Sequence, residues 1–189
     1  MMNLFATPIY KKKLNLNLKE LEDYCYHNQK TCFGRSISNH KGWQSLPIKR
    51  DLTLNSFYIE LLNTLNDYKE MVGAKGHIIL NDVWININSK GSSNIAHIHT
   101  DCFMSGVFYV KTPKYCGDLY FENLNAVNYN WNKKHFIDDV SNLYCNDTWS
   151  IVPEENTIIV FPSWAKHGVL TNASNNDRIS ISFNASIDK

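Results

Sequence analysis

Residues 97–110 read HIHTDCFMSGVFYV, two histidines and an aspartate at alternating positions before an apolar run. The run carries no helical periodicity, so the stretch predicts a β-strand. Strand side chains alternate between faces, which puts His97, His99, Asp101, Phe103, Ser105, Val107 and Tyr109 on one side. His99 and Asp101 then form a His-x-Asp pair at a strand end. A reactive divalent iron wants two imidazoles and one carboxylate on one side, with the other positions open. The missing imidazole has to come from later in the chain. "IIVFPSWAKHGV" (158–169) offers His167, just past an apolar β segment and a proline turn. Only a sheet folded into a barrel brings it to His99. The plainer reading, a polar strand face in solvent, stays open on these residues alone.

From about residue 76 the chain consists of short β segments separated by Gly, Pro, Asn and Asp clusters: HIILNDVWININ, NIAHIHT, MSGVFYVKT, GDLYFEN, WSIVPEE, NTIIVFPSW, HGVLTNA and RISISFNASI. That texture predicts a mainly β barrel or jelly roll. There is no strand–helix–strand rhythm and no glycine-rich phosphate loop. Before it, residues 1–75 read as strand, helix, loop, helix. Asn17 caps the first helix with Glu20 three residues on, and Leu18, Leu21, Tyr24 and Cys25 share a face. Phe57, Leu61, Leu65, Tyr68 and Val72 mark the second, with Gly73 as its stop. Each helix has one apolar stripe and needs a surface to cover. "SNHKGWQSLPIKRD" (38–51) between them reads as loop. A long interruption at about 122–148 contains Tyr129, Trp131 and Phe136, which suggests a partly ordered flap.

The 189 residues fit one domain, 1–189, with a real core. A net charge of +1 argues against nucleic-acid or anionic-membrane partners, and no stretch has the roughly 20 apolar residues of a membrane span. The start of the chain lacks the order of a signal peptide. Five cysteines, odd in number and without a close pair, predict free thiols in a reducing, cytoplasmic compartment. Cys102, next to Asp101, turns to the opposite strand face.

"RISISFNASI" (178–187) alternates strictly, with Arg178, Ser180, Ser182 and Asn184 on one face and Ile179, Ile181 and Phe183 on the other. In solvent this is an ordinary half-exposed strand. In a barrel, the polar face looks into the mouth while the isoleucines meet the N-terminal helices. An arginine there suits a carboxylate, which it grips with two parallel hydrogen bonds; Ser180 could add a third. Asn86, sharing a face with Trp84, and Tyr109, on the face of His99, are further candidates to contact a bound molecule.

The ordered set, His-x-Asp, distal His and Arg-x-Ser, resembles the iron(II)- and 2-oxoglutarate-dependent oxygenases. More narrowly, "LFATPIY", "HIHTDCFMSGVFYV", "FPSWAKHGV" and "RISISFN" are similar to a poorly characterised group within that superfamily. The resemblance implies a double-stranded β-helix, a jelly-roll or cupin-like barrel with the N-terminal helices packed on one sheet. It makes His99, Asp101 and His167 the iron ligands and Arg178 the partner of the distal carboxylate of 2-oxoglutarate, with Ser180 at the Arg-x-Ser companion position. Asn86 and Tyr109 are candidates to contact the cosubstrate, with a role in the core as the alternative for each. In the narrower group the first histidine pair is usual but the position of Asp101 is often not acidic, so His97 is the alternative ligand. The implied reaction consumes O2 and 2-oxoglutarate, hydroxylates a small-molecule or peptide substrate, and releases succinate and CO2. Retention of Asp101 argues against halogenation, which needs an open site there. Two rivals stand: a cupin-like metalloenzyme not using 2-oxoglutarate, and a β-sandwich binding module. An N-terminal strand and helices at a barrel edge leave a homodimer contact open.

Overall fold

The computed structural model describes residues 5–123 and 146–188; the flap expected from the aromatics at 129, 131 and 136 lies outside them. Eleven strands and two helices are described. Strands β4 (His77–Asn88), β5 (Ser93–His97), β6 (Met104–Lys111), β7 (Leu119–Glu122), β8 (Thr148–Ile151), β9 (Thr157–Pro162), β10 (His167–Val169) and β11 (Arg178–Asp188) form the barrel. They alternate between a major sheet containing β9-β6-β11-β4 and a minor sheet containing β5-β10-β7-β8, except that the successive strands β7 and β8 pair within the minor sheet. Every pairing in them is antiparallel. This alternation is the double-stranded β-helix.

An N-terminal strand β1 (Tyr10–Lys13) extends the major sheet beside β9. The segment read as loop at 38–51 is partly a correction. Its β2 (Asn39–His40) joins the minor sheet and its β3 (Trp43–Gln44) the major sheet. Two residues per strand leave no alternation to read, and only pairing to β5 and β4 defines them.

Helices α1 (Leu18–Thr31) and α2 (Asn55–Met71) cover the outer face of the major sheet. The Asn17 side chain caps α1 by accepting from the Glu20 N–H, and Gly73, at φ 70°, ends α2. Leu21, Cys25, Phe57, Leu61 and Leu65 bury against Ile85, Phe108, Val160, Ile181 and Phe183. The second core lies between the sheets and is smaller, with Val107, Tyr109, Leu119, Phe121, Ile159 and Phe161. Alternation along β11 and β6 therefore sends Ile179, Ile181, Phe183 and Phe108 to the helices and turns Arg178, Ser180, Ser182, Val107 and Tyr109 to the barrel interior. None of the described helices is long and apolar enough to cross a membrane.

Gly106 of β6 lies between β9 and β11 of the major sheet, with no room for a side chain. A Cβ there would come within 2.4 Å of both the Ile159 carbonyl oxygen and the Phe183 ring. The carbonyl belongs to a paired strand and cannot swing aside. Gly106→Ala is expected to cost about 3 kcal/mol, the upper part of the usual overpacking range. At this chain length that lowers Tm by about 6–12 °C, as thermal unfolding followed by circular dichroism would show.

Candidate metal centre and adjoining pocket

The stretch at 97–110 is not one strand. β5 ends at His97, residues 98–103 cross from the minor to the major sheet, and β6 starts at Met104. The crossing is pinned to the turn before β10. His99 N–H donates to the Ser163 carbonyl at 3.0 Å, Ser163 N–H to the Phe103 carbonyl at 3.2 Å, and Ser163 Oγ–H to the Cys102 carbonyl at 2.6 Å. His167 opens β10 directly opposite His97. The result is a cluster of His97, His99 and His167 whose ligand nitrogens all lie within 4.8 Å of one another. Ring centroids are 4.6–5.2 Å apart, and His99 and His167 stack at 20°.

The tautomers are set by the backbone. His97 Nδ1 lies 2.8 Å from the Ile95 carbonyl, and His167 Nδ1 lies 2.8 Å from the Ala165 carbonyl. A carbonyl only accepts, so each Nδ1 carries the proton and each Nε2 keeps its lone pair, the usual arrangement of a metal-binding imidazole. Trp84 stands 5.9 Å from the His99 ring, and Phe161 and Phe121 stand 4.5 and 5.9 Å from His167. Burial among these rings, and then the neighbouring His97, pushes His99 down to about 4. Burial likewise pushes His167 down to about 3, against a backbone hydrogen bond that raises it. Both are neutral at pH 7, as a metal requires.

Asp101 stands apart from this cluster. It is exposed, at φ 60°, in the left-handed conformation that Asp tolerates in turns. The strand ends before it, so the shared face that period two projected from His99 to Asp101 does not exist. The structure instead brings together His97, the alternative ligand, with His99 and His167.

Beyond the imidazoles a pocket runs between the sheets, lined by Trp84, Asn86, Tyr109, Arg178, Ser180 and Ser182 from the major sheet and by Asn94, Leu119 and Val169 from the minor. Arg178 is 2% exposed. Its Nη1 donates to the carbonyls of Cys116 at 2.6 Å, Gly117 at 3.1 Å and Leu170 at 3.4 Å. Among the described residues, Nε and Nη2 have no hydrogen-bond partner and the guanidinium has no acid to pair with. Burial pushes its pKa down, against smaller opposing effects of Tyr109, Cys116 and Asp118, because desolvation penalises the charged form. Burial pushes the Tyr109 phenol well above its ordinary value, opposed by the Arg178 charge; it remains a neutral O–H donor. Asn86 donates through Nδ2 to Ser182 Oγ at 3.0 Å, while its Oδ1 is buried without a partner among the described residues.

Sequence reasoning left Ser38 and Asn94 out of this pocket. Ser38 sits in irregular chain, and Asn94 faces inward along with His97 because the β5–β10 register shifts between them. Neither signal exists in a linear pattern.

Among curated proteins no match to the chain is found. Solved structures do resemble it. A prolyl-4-hydroxylase of Pseudomonas putida superposes with a TM-score of 0.65 at 13% identity, over 98% of this chain and 96% of that one. A viral collagen prolyl hydroxylase of Paramecium bursaria Chlorella virus-1, in complex with 2-oxoglutarate, gives 0.61 at 14% identity over 95% and 96%. HygX of Streptomyces hygroscopicus, with nickel and 2-oxoglutarate bound, gives 0.58 at 10% over 96% and 83%. At such identities the likeness establishes the shared fold. The sequence itself goes further: residues 82–184, from within β4 to within β11, match the family described as "Putative 2OG-Fe(II) oxygenase", and the chain belongs to that family.

Proposed function

We propose that the protein is an Fe(II)- and 2-oxoglutarate-dependent dioxygenase that hydroxylates its substrate and releases succinate and CO2. The observation that carries the reading is the pairing of two features in one pocket. Three imidazoles converge at one end, those of His99 and His167 held neutral by burial, and a buried arginine without an ion-pair partner among the described residues stands along the same wall. A cupin-like enzyme without 2-oxoglutarate, or a binding module, leaves that arginine without a reason to be buried.

The residues fit the groups the family name implies. His97, His99 and His167 would hold the iron through their Nε2 atoms, with His97 in the place the sequence reading gave to Asp101. Three imidazoles leave the remaining coordination positions for cosubstrate and O2. Arg178, with Ser180 and the Tyr109 hydroxyl, would hold the distal carboxylate of 2-oxoglutarate, and Asn86 lies beside it. Bound there, Fe(II) and 2-oxoglutarate supply the O2-dependent oxidation, which no protein side chain can supply alone. The chain's own part is to orient and to dry the site. Ala165 and Ile95 hold two imidazoles in the ligating tautomer, and Trp84, Phe121 and Phe161 keep water from their edges. The substrate is a small molecule or a peptide. The fold alone does not choose between them, and the free thiols of the described cysteines agree with a reducing, cytoplasmic setting.

The test mixes anaerobic protein with Fe(II) and 2-oxoglutarate. The expected result is a visible metal-to-ligand charge-transfer band, followed on admission of O2 by slow succinate formation even without substrate. Iron binding without a band points to the cupin-like rival, and no iron binding points to the binding module.

A further inference from the structure

None of the described residues lining the pocket between the sheets is an aspartate or a glutamate, and the one permanent charge among them is the guanidinium of Arg178. Asp118, whose charge raises the Arg178 pKa, is not among those residues, and burial outweighs it. The guanidinium has no means of relieving a second positive charge nearby. Three main-chain carbonyls hold its Nη1 in place. The side chain is almost wholly shut off from solvent, and an arginine does not give up its proton.

The imidazole cluster at the other end supplies no counter-charge either. Histidines ligate a metal as neutral imidazoles, and Asp101 lies exposed beyond the crossing. A carboxylate ligand would lower the charge of a divalent ion by one; His97, His99 and His167 leave it whole. Along β11, Arg178 is four residues from Ser182, which stands opposite Trp84 beside the His99 ring. Four strand residues span about 13 Å. At that separation, and at an effective dielectric constant of roughly 20 to 40, a single and a double positive charge repel by roughly 10- to 100-fold in affinity. A dicarboxylate such as 2-oxoglutarate brings two negative charges and offsets both ends at once.

We propose that Arg178 makes iron binding conditional on a dicarboxylate: iron and 2-oxoglutarate load as a neutral pair, and the imidazole cluster holds iron weakly when the pocket contains no dianion. This regulation of the metal centre rests on the oxygenase reading above. Direct ligation of iron by the keto acid couples the two in any case. The repulsion by Arg178 is separate from that, because it acts on iron before any cosubstrate is present. By linkage, iron strengthens 2-oxoglutarate binding by the same factor.

The test measures Fe(II) affinity by anaerobic calorimetry on the full chain, in a buffer free of polycarboxylates. Without any cosubstrate, Arg178→Met is expected to bind iron at least about tenfold more tightly than the parent, and Arg178→Lys, which keeps the charge, to stay within about threefold of it. A merely structural arginine gives the opposite sign, since a damaged pocket binds iron less well. In the parent, saturating glutarate, which has both carboxylates but no keto group, should tighten iron binding at least about fivefold. In Arg178→Met that gain should fall below about twofold. Should Arg178→Met fail to fold, the glutarate response of the parent decides alone. Equal iron affinity of parent and Arg178→Met, or a parent indifferent to glutarate when the variant does not fold, overturns the proposal and leaves the oxygenase reading intact. If iron binds but 2-oxoglutarate gives no charge-transfer band, the oxygenase reading fails, and the same comparison of parent and Arg178→Met still decides whether the arginine repels the metal. A parent that binds no iron under any of these conditions overturns both.

Discussion

His97→Ala is expected to cost the protein its iron, while Asp101→Asn leaves iron binding within about twofold. The contrast follows from where the backbone goes after β5. His97 is the last strand residue and lies opposite His167, and its Nδ1 proton is held by the Ile95 carbonyl. Its nitrogen belongs to the triangle that closes within 4.8 Å. Asp101 lies past the crossing, exposed and left-handed. Loss of a residue that only orients a ligand typically costs 10–100-fold in metal affinity, so loss of a direct ligand should cost at least about 100-fold. Anaerobic calorimetry with Fe(II) on both variants decides it; iron lost with Asp101→Asn would return the carboxylate to the site. The buried imidazoles add a pH dependence. His99 and His167 are held to about 4 and about 3 in the fold, against 6.5 in the unfolded chain. The unfolded chain therefore takes up protons that the folded chain refuses as pH falls through 6.5. The metal-free protein should be about 2–4 kcal/mol less stable at pH 5 than at pH 7 in urea unfolding. Protons at these two histidines compete with iron only near or below pH 4, so their share of iron affinity stays level from pH 8 to 5.

Much of this was legible from periodicity, and the exceptions share one cause. Long strands such as β4 and β11 announce both faces, since alternation over eleven or twelve residues cannot be confused with a helix. Ser180 and Arg178 could thus be placed on one face and Phe183 on the other before any partner was known, while alternation alone left open whether the polar face met solvent or the barrel interior. Asp101 was misplaced because the alternation was run through 98–103. What breaks the strand there is a set of hydrogen bonds to Ser163, more than fifty residues away, and a left-handed turn at Asp101. Asn94 faces the pocket through a register shift, and Gln44 belongs to a strand of two residues. Each depends on which strand lies next door, information that no local pattern carries.

Replacing Arg178 by methionine should weaken 2-oxoglutarate binding by about 100- to 1,000-fold without lowering the stability of the metal-free protein. Truncating one partner of a buried, hydrogen-bonded charge pair costs about 2–5 kcal/mol, and at about 1.4 kcal/mol per decade the middle of that range gives this loss. The second half of the prediction is less usual. A buried arginine normally stabilises through an acid, and Arg178 has none among the described residues; its contacts are three backbone carbonyls, all to one nitrogen. Before the cosubstrate binds, the desolvation of its charge outweighs what Tyr109, Cys116 and Asp118 return, as the lowered pKa reflects. Methionine of similar length removes that penalty, and apolar replacements of buried charges are often neutral or stabilising. The carbonyls of Cys116, Gly117 and Leu170 lose a donor, which offsets part of the gain. Arg178→Lys keeps the charge but not the fork, so its affinity should fall between the two. Titration of the charge-transfer band with 2-oxoglutarate gives the affinities, and urea unfolding of the metal-free chains gives the stabilities. A methionine variant that unfolds early would make Arg178 a structural residue. One that binds 2-oxoglutarate as tightly as the parent would remove the cosubstrate from this end of the pocket. A variant at least as stable as the parent, and blind to 2-oxoglutarate, marks a residue kept for its ligand at the expense of the fold.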